Sequence, residues 1–243
     1  MSDDATPTLA RPAFAEGIGT CFLLAAVVGS GIMAERFFPD SIGLALLANT
    51  IATGAALAAL ILSLAPISGA QFNPAVTLSA VLARQLPPAD AVLYLAAQVS
   101  GAIFGVALAD LMFELPAFSI SQHARHGFGQ LLSEFVATFG LLTVIWGCSR
   151  SSSRVAVAVA AYITAAYWFT ASTSFANPAV TVARSLSNTF AGIAPADVAG
   201  FVVVQLAGAV SSTLLFRWLL SEPAAVRDED VRSARVTQPE TIA

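Results

Sequence analysis

The chain has 243 residues, of which 57% are hydrophobic and only 11% are charged, and its formal net charge is −4 at pH 7. Because ordinary soluble domains contain about 25% charged residues, this composition excludes a fully hydrated surface and favours a membrane protein. The basic residues are all arginine and lie far apart along the chain, so there is no basic patch of the kind that binds nucleic acid. The lipid bilayer is the expected partner, and no nucleic-acid partner is expected.

Six apolar stretches are long enough to form membrane helices, which need about 20 apolar residues each. They are predicted at about 12–34, 42–65, 91–113, 130–148, 155–171 and 197–220. The first stretch contains Glu16 and lacks both a basic flank and a small-residue cleavage pattern, so we interpret it as a retained membrane helix. The ends at 1–10 and 222–243 are predicted to be cytoplasmic tails, the second of them disordered.

The placement of arginine predicts the orientation, because cytoplasmic loops are enriched in basic residues. If the N-terminus is inside, eight arginines lie inside and three outside. This distribution predicts an inner-membrane protein with both termini in the cytoplasm. The inside set is Arg11, Arg84, Arg150, Arg154, Arg217, Arg227, Arg232 and Arg235, and the outside set is Arg36, Arg125 and Arg184.

The sequence Asn-Pro-Ala-Val occurs at 73–76 and again at 177–180, each time followed by Thr. One copy is typical of an ordinary helix start, because Asn caps a helix well and Pro is tolerated at the first helical position. Each copy is followed by about ten apolar or small residues, a helix of about 15 Å, which is half of a hydrocarbon core of about 30 Å. Both segments are therefore predicted to be re-entrant half-helices, ending at breaks at 86–88 and 187–188. Such backbone is tolerated at membrane depth only beside protein or a water-filled cavity, which favours a pore.

Further landmarks repeat in the same order in both halves. Glu-x-x-x-Thr begins at residues 16 and 134, and Gln-x-x-Gly-Ala begins at residues 98 and 205. Because each half has an odd number of spans, the second half must be inverted relative to the first, a common construction in transport proteins. We expect one channel domain over 11–221, with one repeat at about 11–114 and the other at about 129–221. The half-helix N-termini then meet near the middle of the bilayer.

This meeting point predicts a chemical selectivity. Two facing helix N-termini present positive dipole ends, which raise a barrier to cations. The side-chain amides of Asn73 and Asn177 can donate hydrogen bonds to a passing water or hydroxyl group. Neutral polar molecules can therefore cross, whereas hydronium and metal ions are disfavoured.

These motifs together resemble the aquaporin, or major intrinsic protein, family over residues 12–220. The resemblance implies an all-α membrane protein with six transmembrane helices and two half-helices, assembled as a homotetramer in which each protomer has its own pore. It implies passive conduction of water or small uncharged solutes, with no catalytic residue and no cofactor. It also implies that Glu16 and Glu134 hold the re-entrant loops by hydrogen bonds to their backbone, the alternative being a proton relay. The pore residues that it implies are Asn73, Pro74, Ala75, Asn177, Pro178 and Ala179.

The chain departs from the family at the outer selectivity filter. A gap-free count from the motifs places the filter at Thr53, Ala165, Ser174 and Val180. Family members usually have Arg directly after the second Asn-Pro-Ala, where this chain has Val180. Four uncharged side chains of modest size predict a wide filter. In this respect the chain resembles bacterial channels linked to arsenic resistance, which conduct neutral arsenous acid. Glycerol, urea, hydrogen peroxide and ammonia stay open as solutes, and a channel that conducts mainly water stays open as an alternative.

Arg184 lies four residues beyond Val180, one helical turn along the predicted half-helix. Two interpretations of this residue stay open. Either it restores part of the positive field at the filter, or it is an ordinary arginine at the membrane interface.

A coupled transporter and an intramembrane enzyme are the alternative classes. Transporters usually carry charged coupling sites near the midplane, whereas Glu16, Glu134 and the span-edge Asp110 each have a structural interpretation. The only histidines, His123 and His126, lie in the third connection without an evident nucleophile or acidic pair. A His-x-x-His pair can bind metal, but two residues in a loop are more often solvated, and no metal site is expected.

Small residues and cysteines in the apolar runs predict packing. Cys21 and Cys148 both lie in apolar runs and are expected to pack against neighbours rather than to form a disulfide or bind metal. The patterns that begin at Gly101 and Gly208, with small residues four positions apart, allow helices to approach closely. The sequence leaves open whether these contacts lie within one protomer or between protomers.

Overall fold

The computed structural model describes residues 9–149 and 151–221. The predicted tails therefore lie outside the described residues, except for residues 9 and 10. All the regular structure within the described ranges is α-helical. The helices are α1 (Ala10–Phe37), α2 (Ile42–Ser68), α3 (Pro74–Leu82), α4 (Pro88–Met112), α5 (Phe128–Cys148), α6 (Ser152–Phe169), α7 (Pro178–Arg184) and α8 (Pro195–Leu219).

The predicted pattern of spans and half-helices is confirmed. Each of the six predicted spans overlaps one long helix, and five of these helices, α1, α2, α4, α5 and α8, are long and apolar enough to cross a membrane. The remaining long helix, α6, has 18 residues. The half-helices α3 and α7 contain nine and seven residues, and both end before the predicted breaks. Helix α3 ends at Leu82 because Arg84 has a φ of +60°, which cannot continue a right-handed helix.

The two halves pack in the same way. Helix α1 packs against α2 and α4, and α5 packs correspondingly against α6 and α8. Each half-helix contacts the last long helix of both halves, since α3 lies against α4 and α8, and α7 lies against α8 and α4. Contacts of α2 with α6 and of α3 with α7 join the halves. These pairings are unchanged when the halves are exchanged, as an internal repeat requires.

Glycines allow the closest helix contacts, and these contacts lie within the protomer. A Cβ atom added at Gly101 of α4 would overlap the carbonyl oxygen of Gly17 in α1, and Gly105 packs against α1 in the same way. A Cβ atom at Gly208 of α8 would lie 2.7 Å from the carbonyl oxygen of Phe135 in α5. The same device thus brings the first and last long helices of each half together. Both cysteines are free.

Candidate functional site

Both half-helices begin with the same cap. The Oδ1 atom of Asn73 accepts a hydrogen bond from the backbone N–H of Ala75 at 2.9 Å. The Oδ1 atom of Asn177 accepts from the N–H groups of Ala179 and Val180, at 3.0 and 3.3 Å. A proline occupies the first helical position of each, where it needs no hydrogen-bond acceptor. The repeated tetrapeptide therefore forms two equivalent helix starts.

The caps also connect the two halves. Asn73 donates through Nδ2 to the carbonyl oxygen of Ala176, and Asn177 donates through Nδ2 to the carbonyl oxygen of Phe72, both at 2.8 Å. A side-chain amide has two N–H hydrogens. Each Asn side chain therefore keeps one N–H group that these bonds do not use.

The loops that precede the caps share an unusual backbone. Positive φ angles occur four, three and one residues before the Asn in both loops, at 85°, 49° and 49° in the first and 60°, 50° and 47° in the second. Residues other than Gly rarely adopt such angles, so surrounding contacts must hold the loops in place. The residues are Gly69, Ala70 and Phe72 in the first loop, and Thr173, Ser174 and Ala176 in the second.

Glu16 is fully buried beside the first of these loops. Its carboxylate accepts hydrogen bonds from the backbone N–H groups of Gln71 at 2.9 Å and Phe72 at 2.6 Å. Two side chains complete the set, the hydroxyl of Ser68 at 2.6 Å and the amide of Gln98 at 2.8 Å. A buried N–H without an acceptor costs about 1–3 kcal/mol, so these bonds stabilise the strained loop.

Glu134 occupies the equivalent place in the second half and is also fully buried. Its carboxylate accepts from the backbone N–H groups of Phe175 at 2.9 Å and Ala176 at 2.8 Å. The amide of Gln205 donates to it at 2.6 Å. In each half the Gln side chain also donates, at 2.9 Å, to the Thr that follows Asn-Pro-Ala-Val. The residues of the repeated motifs thus form one network in each half.

A cavity of about 110 Å³ runs past the facing helix ends. Because a single buried water needs roughly 10–15 Å³, this volume holds several waters. A second cavity, of about 250 Å³, shares Gln71, Val76 and Ile145 with the first and extends the path to the other side of the bundle. We call the two ends the α7 mouth, lined by Thr53, Tyr167, Ser174, Val180 and Arg184, and the α3 mouth, lined by Ser79, Gln85, Trp146 and Ser149.

Three of the four expected filter residues line the α7 mouth. The exposed fractions of Thr53, Ser174 and Val180 are 2%, 3% and 5%, and all three side chains border the cavity. The hydroxyl oxygen of Ser174 is buried and has no hydrogen-bond partner among the described residues. Its capacity for hydrogen bonding is therefore unused within the described part of the chain.

The fourth expected residue, Ala165, does not reach the cavity. It is exposed on α6, and the cavity is instead lined by Tyr167, whose hydroxyl donates to the Thr53 hydroxyl at 3.3 Å. Two residues along a helix turn the side chain by about 200°, so these residues face opposite sides. The expectation for Ala165 was wrong because a gap-free count from the motif assumed a fixed length for the loop that follows α6.

Comparison with known proteins decides the family. The family model described as "Major intrinsic protein" matches residues 4–155. The chain belongs to the major intrinsic protein family. It is a multi-pass membrane channel for small neutral solutes and water, and it is not an enzyme.

Individual relatives of this channel agree. Aquaglyceroporin AqpS of Rhizobium meliloti (strain 1021) is 53% identical over 234 residues, which cover 96% of this chain and 97% of the relative. Aquaporin Z of Bradyrhizobium diazoefficiens is 28% identical over 228 residues, covering 87% and 94%. The X-ray structure of the aquaglyceroporin from Plasmodium falciparum has a TM-score of 0.62 at 18% identity, covering 86% of this chain and 94% of that one. The structural likeness shows that the fold is shared.

Arg184 of this channel lies inside the bundle and does not face outward. Only 2% of its surface is exposed, and its side chain lines the α7 mouth. Its Nε donates to the carbonyl oxygen of Ala191. Its guanidinium carbon lies 3.4 Å from the centre of the Phe175 ring, which places the charged group flat against an aromatic wall.

Arg125, in the connection between α4 and α5, shares the same ring. Its guanidinium carbon lies 4.9 Å from the Phe175 ring centre. The side chain donates to the carbonyl oxygens of Gly192 at 2.8 Å and Ser172 at 3.1 Å. Burial lowers the pKa of Arg125 from its ordinary value, but a guanidinium stays protonated at neutral pH. No motif marks this residue in the sequence, because its partners are backbone carbonyls far along the chain.

The remaining titratable candidates lie outside the pore. His123 and His126 are exposed, and His126 Nδ1 lies 4.0 Å from Asp197. Within residues 9–149 and 151–221, no three His, Cys, Asp or Glu side chains are grouped closely enough to hold a metal ion. Asp110 is buried and accepts a hydrogen bond from the Ser187 hydroxyl at 2.8 Å. It anchors the chain just beyond α7.

Proposed function

We propose that this channel conducts small neutral polyhydroxy solutes, namely arsenous acid and glycerol-like polyols, together with water. The observation that carries the proposal is the chemistry of the α7 mouth, where a free hydroxyl from Ser174 lies in the same wall as the aliphatic Val180. A polyol has a hydroxyl edge and a carbon edge, which fit these two surfaces. The relative AqpS is an aquaglyceroporin, which supports the same class of solute.

The proposed roles follow from position. Asn73 and Asn177 donate hydrogen bonds at the centre of the pore, at the two helix starts. Glu16 and Glu134 hold the loops, and the α7 mouth is the selectivity filter, with Tyr167 in place of Ala165. The helix starts themselves are built by Pro74, Ala75, Pro178 and Ala179.

The proposed setting is the inner membrane, with both termini in the cytoplasm and the α7 mouth outside. The excess of arginine on the predicted inner side supports this orientation. We also propose a single channel domain over 11–221 and a homotetramer, for which exposed apolar side chains such as Ile51 on α2 and Val157 on α6 offer contact area. Light scattering of the purified protein, corrected for detergent, should give the mass of four chains. The mass of one chain would contradict the tetramer but not the other proposals.

A second candidate is a channel that conducts mainly water. The observation that favours it is Tyr167, whose hydroxyl donates to the Thr53 hydroxyl at 3.3 Å. An aromatic ring held in this position makes the α7 mouth narrower than four small side chains would. The two candidates differ only in the size limit of this mouth. A permeability comparison separates them.

The test is stopped-flow light scattering on liposomes that contain the purified protein. Osmotic gradients of glycerol, urea or arsenous acid should produce shrinkage followed by solute-driven reswelling, faster than in empty liposomes. Water flow alone, with solute permeability at the level of empty liposomes, contradicts the proposal and supports the second candidate.

A further inference from the structure

We propose that Arg184 is a specificity-determining residue that excludes cations at the α7 mouth and donates hydrogen bonds to the oxygens of passing solutes. It acts one helical turn beyond Val180, on the side of the mouth that is farther from the facing helix starts. The inference rests on the proposed solute path through the α7 mouth.

The position of the charge is the first observation. Arg184 is 2% exposed and lines the cavity that also contains Asn73 and Asn177. Arg184 is the seventh residue of α7 after the Asn177 cap, which places it about 10 Å from the cap along the helix axis. A cation that enters the α7 mouth therefore meets this charge before it meets the facing helix ends.

No acid is in direct contact with the charge, and Glu134 acts on it only through space. Among the described residues, no carboxylate oxygen lies within 4.0 Å of the Arg184 guanidinium. The one pair of a basic and an acidic side chain within that distance there is His126 with Asp197. Arg125, on the same Phe175 ring, adds a second positive group nearby. Burying a charge is costly, and the contacts with the Phe175 ring and the Ala191 carbonyl oxygen offset part of this cost. The field of the two arginines repels a cation more strongly in such a confined site than in bulk water.

The guanidinium also has donors to spare. Of its five N–H groups, only the one on Nε is bonded to the protein within the described ranges, to Ala191. Four N–H groups on the terminal nitrogens are left for water or for a solute oxygen. The unpartnered hydroxyl of Ser174 lines the same mouth. A hydroxylated solute can therefore exchange its water shell for protein donors here.

The guanidinium is held in place rather than free to swing. The Phe175 ring lies 3.4 Å from the Arg184 guanidinium carbon and packs edge-on against Phe201, with 5.4 Å between ring centres. The backbone of Phe175 is itself bonded to Glu134 at 2.9 Å. A fixed donor recognises a solute oxygen at lower entropic cost than a mobile one.

The experiment compares Arg184→Met with a matched control in proteoliposomes. Arg36→Met removes a guanidinium that also lies over a phenylalanine, 5.1 Å from the Phe113 ring centre, and also donates to a backbone carbonyl, but at an exposed position away from the cavity. Proton and sodium leak are measured with a trapped pH dye and a sodium-sensitive dye at a clamped membrane potential. We expect Arg184→Met to raise the cation leak at least about tenfold, and Arg36→Met to leave it unchanged.

Two further variants cover the case in which Arg184→Met fails to fold. Arg184→Lys keeps the charge but loses the planar set of donors, so it should exclude cations like the wild type while its glycerol flux falls about threefold or more. The double variant Val180→Arg with Arg184→Met returns a charge to the same mouth and should restore cation exclusion.

The outcomes separate this inference from the channel function. If folded Arg184→Met excludes cations like the wild type, or if Arg184→Lys leaks cations although it retains the charge, the inference is wrong. If the wild type itself carries neither glycerol nor arsenous acid, the proposed solute function is wrong, while the cation-leak comparison still tests Arg184.

Discussion

The fourth residue of each Asn-Pro-Ala-Val copy faces the lumen. Val76 and Val180 both line the central cavity, because each lies in the first turn of a half-helix whose N-terminus points at the pore. Aliphatic side chains at these places leave the hydrogen bonding of a solute to the Asn amides and to the α7 mouth. A substitution of either valine therefore changes the shape of the cavity directly, and does not depend on altered packing of the long helices.

Val180→Arg is expected to narrow the α7 mouth and to reduce the flux of larger solutes more than that of water. An arginine side chain is longer than valine and, with Arg184 one turn away, brings a second charge into the same cavity. We expect glycerol flux to fall about tenfold or more, which corresponds to a barrier about 1.4 kcal/mol higher, and water flux to fall less. Stopped-flow light scattering measures both on the same vesicles.

Val180→Leu is the control for size without charge. It should lower glycerol flux less than Val180→Arg does and leave cation exclusion as it is. Equal losses of water and glycerol flux in Val180→Arg would show that Val180 does not lie at the narrowest part of the path.

Counting from the motifs reached the cavity at three of the four expected positions. Thr53, Ser174 and Val180 could be placed at the cavity by counting. The count failed for Ala165, because the register of α6 depends on the loop that follows it, and a difference of two residues selects Tyr167 on the opposite face. The burial of Arg184 could not be predicted either, since its neighbours Phe175 and Ala191 come from segments outside its own helix.

The half-helices could be predicted as elements, but the loops that lead into them could not. Asn followed by Pro specifies a helix start locally, and two copies at matched depth specify two half-helices. The backbone of Phe72 and Ala176, with φ of 49° and 47°, is disfavoured for these residue types. It is held by bonds to Glu16 and Glu134, which lie far away in sequence. Local propensity contains no information about such long-range support.

At the contact between α1 and α4, Gly101→Ala is expected to destabilise the protein. The added methyl group would overlap the carbonyl oxygen of Gly17, and backbone atoms of two long helices cannot yield as a flexible side chain can. Overpacking of this kind costs about 1–3 kcal/mol. Thermal unfolding in detergent, followed by circular dichroism or dye binding, should show a lower midpoint temperature.

Gly147→Ala is the matched control, since it makes the same change in another long helix. A Cβ atom at Gly147 would meet nothing within 4 Å, and Ala favours the helix by up to about 1 kcal/mol over Gly. Its midpoint temperature should stay equal or rise. An unchanged midpoint for Gly101→Ala, with the control behaving as expected, would mean that α1 and α4 separate easily.

At the scale of the whole molecule, the pore is made by one chain and its two halves. The cavity lies between Asn73 of one half and Asn177 of the other, and the bonds from these side chains cross between the halves. The carboxylates of Glu16 and Glu134 are both engaged by loop N–H groups. They are therefore occupied structurally, in contrast to the exchangeable charged sites that ion-coupled transporters use. This arrangement accounts for passive conduction by a single chain.

A pore contained in one chain predicts that protomers conduct independently. Wild-type and Val180→Arg chains, mixed before reconstitution in varied ratios at constant total protein, should give a glycerol flux that falls in direct proportion to the variant fraction. The proportionality holds whether the chains form tetramers or not, because a variant chain closes only its own cavity. Stopped-flow reswelling in glycerol measures the flux, and Arg36→Met mixtures, which should show no decline, control for reconstitution yield. A decline steeper than the wild-type fraction would show that solute passes between chains, at an interface to which several protomers contribute, and would move the site out of the cavity between Asn73 and Asn177.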